Sequence, residues 1–389
     1  MNSDTKKPAE DSADVRSQLT SAERIVVKIG SNLVATETGA FNHALLTSVV
    51  EEIAQLVRQG REVLLVTSGA VRLGLAQMGL IGGPRPDLST RQAAAAVGQV
   101  ELMAHYNALF SRHGCTVGQL LLTGDDISDR RRYLHIRNTL LPLLHQYHVI
   151  PVINENDSVS VEGVQIGEND RLAALIAGKV QCDLLIILSD VEGLYTADPT
   201  QNPEAKLIHE VRDITPSIER MAGGSTSGVG RGGMRSKIVA AKIALRMNTH
   251  TIIALGRMPQ VITRILAGEE IGTLFAAHGD GRLGARKQWL GFAASPRGSL
   301  VVDAGAEQAL LTRGSSLLPV GVREVNGFFH AGDVVSVLDA DAREIARGLV
   351  NYTAEEMRQI AGKHTAQIEQ ILGYHPYDEA IHRDNLILL

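Results

Sequence analysis

The sequence predicts an α/β protein: a three-layer αβα sandwich with a mainly parallel central sheet, followed by a small β-barrel-like domain. Three observations carry that expectation. Short aliphatic runs alternate with longer amphipathic segments from Arg24 to about Ala276. Polar and glycine residues follow the aliphatic runs, where the strands of a parallel sheet would end on one shared rim. Beyond the glycine-rich stretch His278 to Gly284, the alternation gives way to short strand-like runs broken by turns.

Taken in order, Ile25-Val26-Val27-Lys28-Ile29 reads as the first strand, Asn42 to Gln59 as a helix capped by Asn42, and Glu62 to Val66 as the second strand. Further helices are expected over about Arg91 to His113, Arg131 to Tyr147, Asp170 to Lys179 and Met234 to Met247. Strands are expected over Gly118 to Leu122, Val149 to Ile153, Leu184 to Leu188 and Thr251 to Leu255, apolar enough to be covered on both faces. The second domain should contain strands near Ser299 to Val302, Val334 to Leu338 and Ile345 to Val350, turns at Asn326-Gly327 and Ala331-Gly332-Asp333, and a helix from about Ala354 to Leu372. The expected organisation is a solvated tail over 1–22, a first domain over 23–278, a linker over 279–296, a second domain over 297–375 and a C-terminal tail over 376–389.

Composition narrows the function. Acidic residues number 43 against 38 basic ones, a net charge of -5 that is the wrong sign for non-specific coating of nucleic acid. Cys115 and Cys182 are too few for a disulfide framework, and no apolar run approaches a membrane span of roughly 18 residues, so a reducing cytoplasm fits and a membrane partner does not.

The chemistry-bearing residues gather at predicted strand ends. Lys28 with Gly30-Ser31-Asn32 ends the first strand, Thr67-Ser68-Gly69-Ala70 the second, Asn154-Glu155-Asn156-Asp157 a later one, and Ser189-Asp190 the one after that. Glycine at such a rim lets backbone N–H groups approach an anion that a Cβ would hold off. Gly228-Val229-Gly230-Arg231-Gly232-Gly233 matches G-x-G-x-x-G and opens the helix at Met234, but no Asp or Glu lies between Gly232 and Glu269 to bind a ribose. The same stretch carries Arg231, Arg235, Lys237, Lys242 and Arg246, so phosphate is its natural ligand, with Lys237 within reach of a terminal phosphoryl group. Asp170, after Gly167-Glu168-Asn169, is either a helix N-cap or a carboxylate that holds two ammonium groups in fixed geometry. His145 and His148 lack a third ligand, and neither a G-x-S-x-G elbow nor a G-x-x-x-x-G-K-[ST] loop occurs. No residue is assigned to a metal.

Five segments in order, Val27-Lys28-Ile29-Gly30-Ser31, Val66-Thr67-Ser68-Gly69-Ala70, Pro151 to Asp157, Gly193-Leu194-Tyr195-Thr196-Ala197-Asp198-Pro199 and Gly232-Gly233-Met234, resemble the bacterial glutamate 5-kinase family. That resemblance implies an amino acid kinase fold followed by a PUA domain, and transfer of phosphate from ATP to the γ-carboxylate of L-glutamate with Mg²⁺. It further implies Lys28, Lys237 and Asp170 as catalytic residues and Ser68, Gly69, Ala70, Asn154, Asp157 and Asn169 as the glutamate site. The ATP site would comprise Lys28, Gly30, Ser189, Asp190, Arg231, Gly232, Gly233, Met234, Arg235, Ser236 and Lys237. Arg231 stands where the family commonly has a smaller hydroxyl residue, and Gly30-Ser31-Asn32 departs from its usual Gly-Ser-Ser or Gly-Thr-Ser. Proline as feedback inhibitor, a homo-oligomer (dimer or tetramer) and glutamate-5-semialdehyde dehydrogenase as partner are also implied. PUA domains elsewhere bind RNA, but seven Lys/Arg against ten Asp/Glu over 297–375 leave this one at net -3 and speak against RNA.

Overall fold

The computed structural model describes residues 15–128, 130–159, 168–222, 233–277 and 296–389. An eight-stranded sheet is built from β1 (Arg24–Ile29), β2 (Glu62–Val66), β3 (Val117–Leu122), β4 (Ile150–Glu155), β5 (Leu184–Ser189), β6 (Glu210–Val211), β7 (His250–Leu255) and β8 (Thr273–Phe275), in the order β3-β4-β2-β1-β5-β7-β8-β6. Only β7 and β8 pair antiparallel. Helices α1 (Ser31–Val34), α2 (His43–Arg58), α3 (Ala70–Gln77), α4 (Leu88–Ser111), α5 (Gly124–Ser128), α6 (Arg130–His145), α7 (Glu168–Lys179), α8 (Pro216–Met221), α9 (Met234–Arg246) and α10 (Val261–Leu266) intervene between strands.

Helix cover explains the strand sequences. β1, β2, β4 and β5 are buried almost throughout, and their Val, Ile and Leu side chains pack on both faces of the sheet. Because β1 lies between β2 and β5, with Val27 opposite Leu65 on one side and Ile186 on the other, the chain order reverses there. In an open parallel sheet that reversal leaves a crevice at the carboxyl ends of the strands. Asn42 caps α2 as expected, its side chain accepting from Leu45 N at 3.4 Å.

One helix pair is set by glycine. An ideal Cβ on Gly98 of α4 would sit 1.9 Å from the carbonyl oxygen of Ala70, and one on Gly74 of α3 would sit 1.8 Å from that of Ala94. The backbones therefore touch, which fixes α3 and the rim loop before it. Gly98→Ala should cost about 1–3 kcal/mol through overpacking; an unchanged urea midpoint would contradict this packing.

A second compact unit has its own core. Its five strands β9 (Gly298–Val302), β10 (Val322–Gly327), β11 (Val334–Leu338), β12 (Glu344–Leu349) and β13 (Leu386–Leu388) form a sheet ordered β10-β9-β11-β12-β13, with helices α11 (Ala304–Arg313), α12 (Ala354–Ile360) and α13 (Ile368–Leu372).

Several expectations need correction. Residues 15–21, expected in the solvated tail, are helical: Leu19 is buried, and Arg16 donates to the carbonyls of His209, Glu269, Ile271 and Gly272. Those carbonyls lie around β6 and the approach to β8, and the guanidinium of Arg16 bridges them from one side chain. Residues 376–389 are likewise not a tail, because β13 pairs antiparallel with β12 and Ala380 and Ile381 are buried. The single helix expected over Ala354 to Leu372 is broken after Ile360, at Gly362 with φ +71°. Asn326-Gly327 ends β10 rather than forming a separate turn. The expected linker, apart from Pro296, lies outside the described residues.

Candidate active site

Four neighbouring strands, β4, β2, β1 and β5, deliver polar residues to one edge of the sheet. Lys28 comes from β1, Ser68 and Gly69 from the loop after β2, Asn154 from β4, and Ser189 from β5. Helices α7 and α9 reach the same edge with their first turns and contribute Asn169, Asp170, Ser236 and Lys237.

The centre is a charge triad. Asp170 Oδ1 lies 2.6 Å from Lys28 Nζ, and Asp170 Oδ2 lies 3.8 Å from Lys237 Nζ. Ser236 Oγ donates to Asp170 Oδ2 at 2.6 Å. The carboxylate is fully buried and the two lysine side chains are each 6% exposed, so all three charges sit in low dielectric. Burial alone would raise the Asp170 pKa, but Lys28, Lys237 and the Ser236 hydroxyl outweigh it and hold the carboxyl below its usual range. Burial pushes the Lys237 ammonium down, only partly opposed by Asp170. Two cations against one anion leave the triad itself net positive. Asp170 is the third residue of α7, so the N-cap alternative falls away.

Beside the triad runs a chain of amides. Asn169 Nδ2 donates to Ser68 Oγ at 3.0 Å and to Asn154 Oδ1 at 3.1 Å. Glu155 N donates to Asn154 Oδ1 at 2.9 Å and to Asn169 Oδ1 at 3.2 Å. Gly69 precedes α3 with φ +102°, in the left-handed region, and Ala70 opens the helix, which has no side-chain cap. Asp157 lies in the turn just after β4 and is half-buried.

On the other side, Asp190 follows β5. It accepts from Asn32 Nδ2 at 3.0 Å and from Ser189 Oγ at 3.0 Å, and Asn32 Oδ1 accepts from Arg72 Nη1 at 3.3 Å. Desolvation would raise the Asp190 pKa, and the Asn32 and Ser189 bonds bring it below the usual carboxylate value. Gly233 caps α9 ahead of Met234, Arg235, Ser236 and Lys237, with open space where a Cβ would be. Gly30 also lies at the edge, its N–H on Leu188 O at 3.3 Å. Arg231 and Gly232 lie outside the described residues.

The structure thus brings together Lys28, Gly30, Ser68, Gly69, Ala70, Asn154, Asn169, Asp170, Ser189, Asp190, Gly233, Ser236 and Lys237. Sequence reasoning missed Arg72 and Gln99; the one available signal was a polar Gln99 inside the Ala-rich run of α4. Among the described residues, no group of three or more His, Cys, Asp or Glu could hold a metal ion, and no helix is long and apolar enough to cross a membrane.

The amino acid kinase family profile matches residues 23–254, and the PUA domain profile matches residues 298–372. The chain is 47% identical over 375 residues to a glutamate 5-kinase of Ectopseudomonas mendocina, covering 96% of this chain and 100% of that one. It is 46% identical over 374 residues to a glutamate 5-kinase of Trichlorobacter lovleyi, covering 96% and 99%. Among solved structures, a UMP kinase from Bacillus anthracis matches with TM-score 0.46 at 18% identity, over 68% of this chain and 99% of that one.

Proposed function

The chain belongs to the glutamate 5-kinases of the amino acid kinase family, and we propose how its site performs their reaction. ATP phosphorylates the γ-carboxylate of L-glutamate, giving ADP and γ-glutamyl phosphate for proline biosynthesis. The observation that carries the residue assignment is the buried pairing of Lys28 and Lys237 on one carboxylate, Asp170.

The nucleophile needs no general base, because a γ-carboxyl with a pKa of about 4.3 is already ionised at neutral pH. A carboxylate oxygen attacks the γ-phosphorus, the bond to the ADP oxygen breaks, and ADP leaves with the electron pair. The difficulty is bringing two anions together, so positioning and positive charge do the catalysis. Ser68, the N–H groups of Gly69 and Ala70, Asn154 and Asn169 hold glutamate, and Asp157 pairs with its ammonium group. The α9 N-terminus from Gly233, with Arg231, Gly232, Met234, Arg235 and Ser236, receives the nucleotide phosphates, and Gly30, Ser189 and Asp190 line the approach. Lys28 and Lys237 take up charge on the transferring phosphoryl group, and Asp170 sets their spacing.

Mg²⁺ fits this site as a cation delivered with the nucleotide. It keeps waters and phosphate oxygens and needs few protein ligands. Bound to the phosphates, it would neutralise part of their charge. Proline shares the α-amino and α-carboxyl groups of glutamate and is proposed to inhibit by competing at that subsite. A cytoplasmic homo-oligomer, dimer or tetramer, passing its labile product to glutamate-5-semialdehyde dehydrogenase, completes the proposal.

Because burial lowers the Lys237 pKa, its ammonium should be lost at a pH below the roughly 10.4 of an ordinary lysine. The kcat/KM profile should therefore fall early on its alkaline side, and Lys237→Arg, which stays charged, should move that limb upward; an identical limb in both would contradict the role. The function itself is tested by trapping acyl phosphate with hydroxylamine over a panel of acids. Hydroxamate should form with free glutamate in preference to acetylglutamate, aspartate or carbamate; a preference for another acid would overturn the assignment.

A further inference from the structure

Gln99 projects from the middle of α4, 9% exposed, and its Oε1 accepts from Asn154 Nδ2 at 2.9 Å. Its Nε2 is buried without a hydrogen-bond partner among the described residues. Half of a buried amide left unsatisfied is costly, so this side chain is poorly explained as a device for stability. Its bond to Asn154 has a different consequence.

The polarity of the amide chain follows from one backbone group. Glu155 N–H can only donate, so Asn154 and Asn169 must both face it with Oδ1. Asn169 then turns Nδ2 toward Ser68 Oγ, and the Ser68 hydroxyl hydrogen is left to point at another acceptor. Asn154 turns Nδ2 the opposite way, where an acceptor must be waiting. Gln99 Oε1 is that acceptor, and it keeps the Asn154 amide from swinging out of line. A glutamate would also accept this bond, but it would put a buried negative charge beside an anionic substrate; glutamine gives the acceptor without the charge.

We infer that Gln99 is a positioning residue for glutamate: by fixing the Asn154 amide, and through it Asn169, it aims the Ser68 hydroxyl as a donor at the substrate carboxylate. This inference rests on the functional reading above. Gln99→Met, near-isosteric and without the acceptor, should raise glutamate KM about tenfold, the loss expected for one hydrogen bond. It should leave kcat within about twofold and ATP KM unchanged, with the melting temperature within a few degrees of wild type. In an Asn154→Ala background, where the bond is already gone, adding Gln99→Met should change glutamate KM by less than about twofold. Gln99→Leu gives the same comparison if the Met variant fails to fold. An unchanged glutamate KM, an additive effect in the double variant, or an equal rise in ATP KM would overturn the inference. A wild-type chain that makes no acyl phosphate from glutamate would instead overturn the functional reading.

Discussion

Lys237→Ala, and separately Lys28→Ala, should lower kcat by roughly 10²–10³-fold, the scale for removing a preorganised charge from a developing anion. Both ammonium groups lie in a buried site, where each is worth more than it would be in water, and both pair with Asp170. Steady-state kinetics should therefore show a collapse of kcat with a small change in glutamate KM. A kcat within a few-fold of wild type in both variants would sink the assignment.

Asp170→Ala should be the most destabilising single change at the site, by about 3–5 kcal/mol, because it leaves two buried ammonium groups without their shared counter-charge. Turnover should fall as well, since Lys28 and Lys237 would repel each other out of register. The effect has a pH signature. The folded Asp170 pKa lies below its ordinary value, so the stabilisation is fully present above the usual carboxylate pKa of about 3.9. As pH falls below that value toward the depressed folded one, the stability gap between wild type and variant should narrow. Chemical denaturation across pH would show this, and a gap that stayed constant would count against the triad.

Much of this arrangement was legible in the chain itself. Apolar runs such as Ile25 to Ile29 and Leu184 to Leu188 have one reading in an α/β pattern, and the residues after them could only reach a common edge. Lys28, Asp170 and Lys237 were legible as types and positions, but their pairing is a tertiary fact that spacings of more than 60 residues do not encode. Gln99 was hidden because a lone polar residue in an Ala-rich helix reads as solvent-facing, whereas the fold buries it against Asn154. Arg16 was hidden because its carbonyl partners lie about 190 to 260 positions away. The break at Gly362 was missed because helical periodicity continues on both sides of one left-handed glycine. Leu386-Ile387-Leu388 was a short apolar run readable as a strand, yet its place at a sheet edge depends on β12.

The central claim is a division of labour: Ser68, Asn154, Asn169 and Asp157 hold glutamate, while Lys28, Asp170 and Lys237 act on the phosphoryl group. The most direct measurement is a calorimetric isotherm of glutamate binding to the full-length Lys237→Ala variant. The account predicts a Kd within about threefold of wild type in a protein that has lost nearly all turnover. Glutamate affinity falling in step with kcat would contradict it.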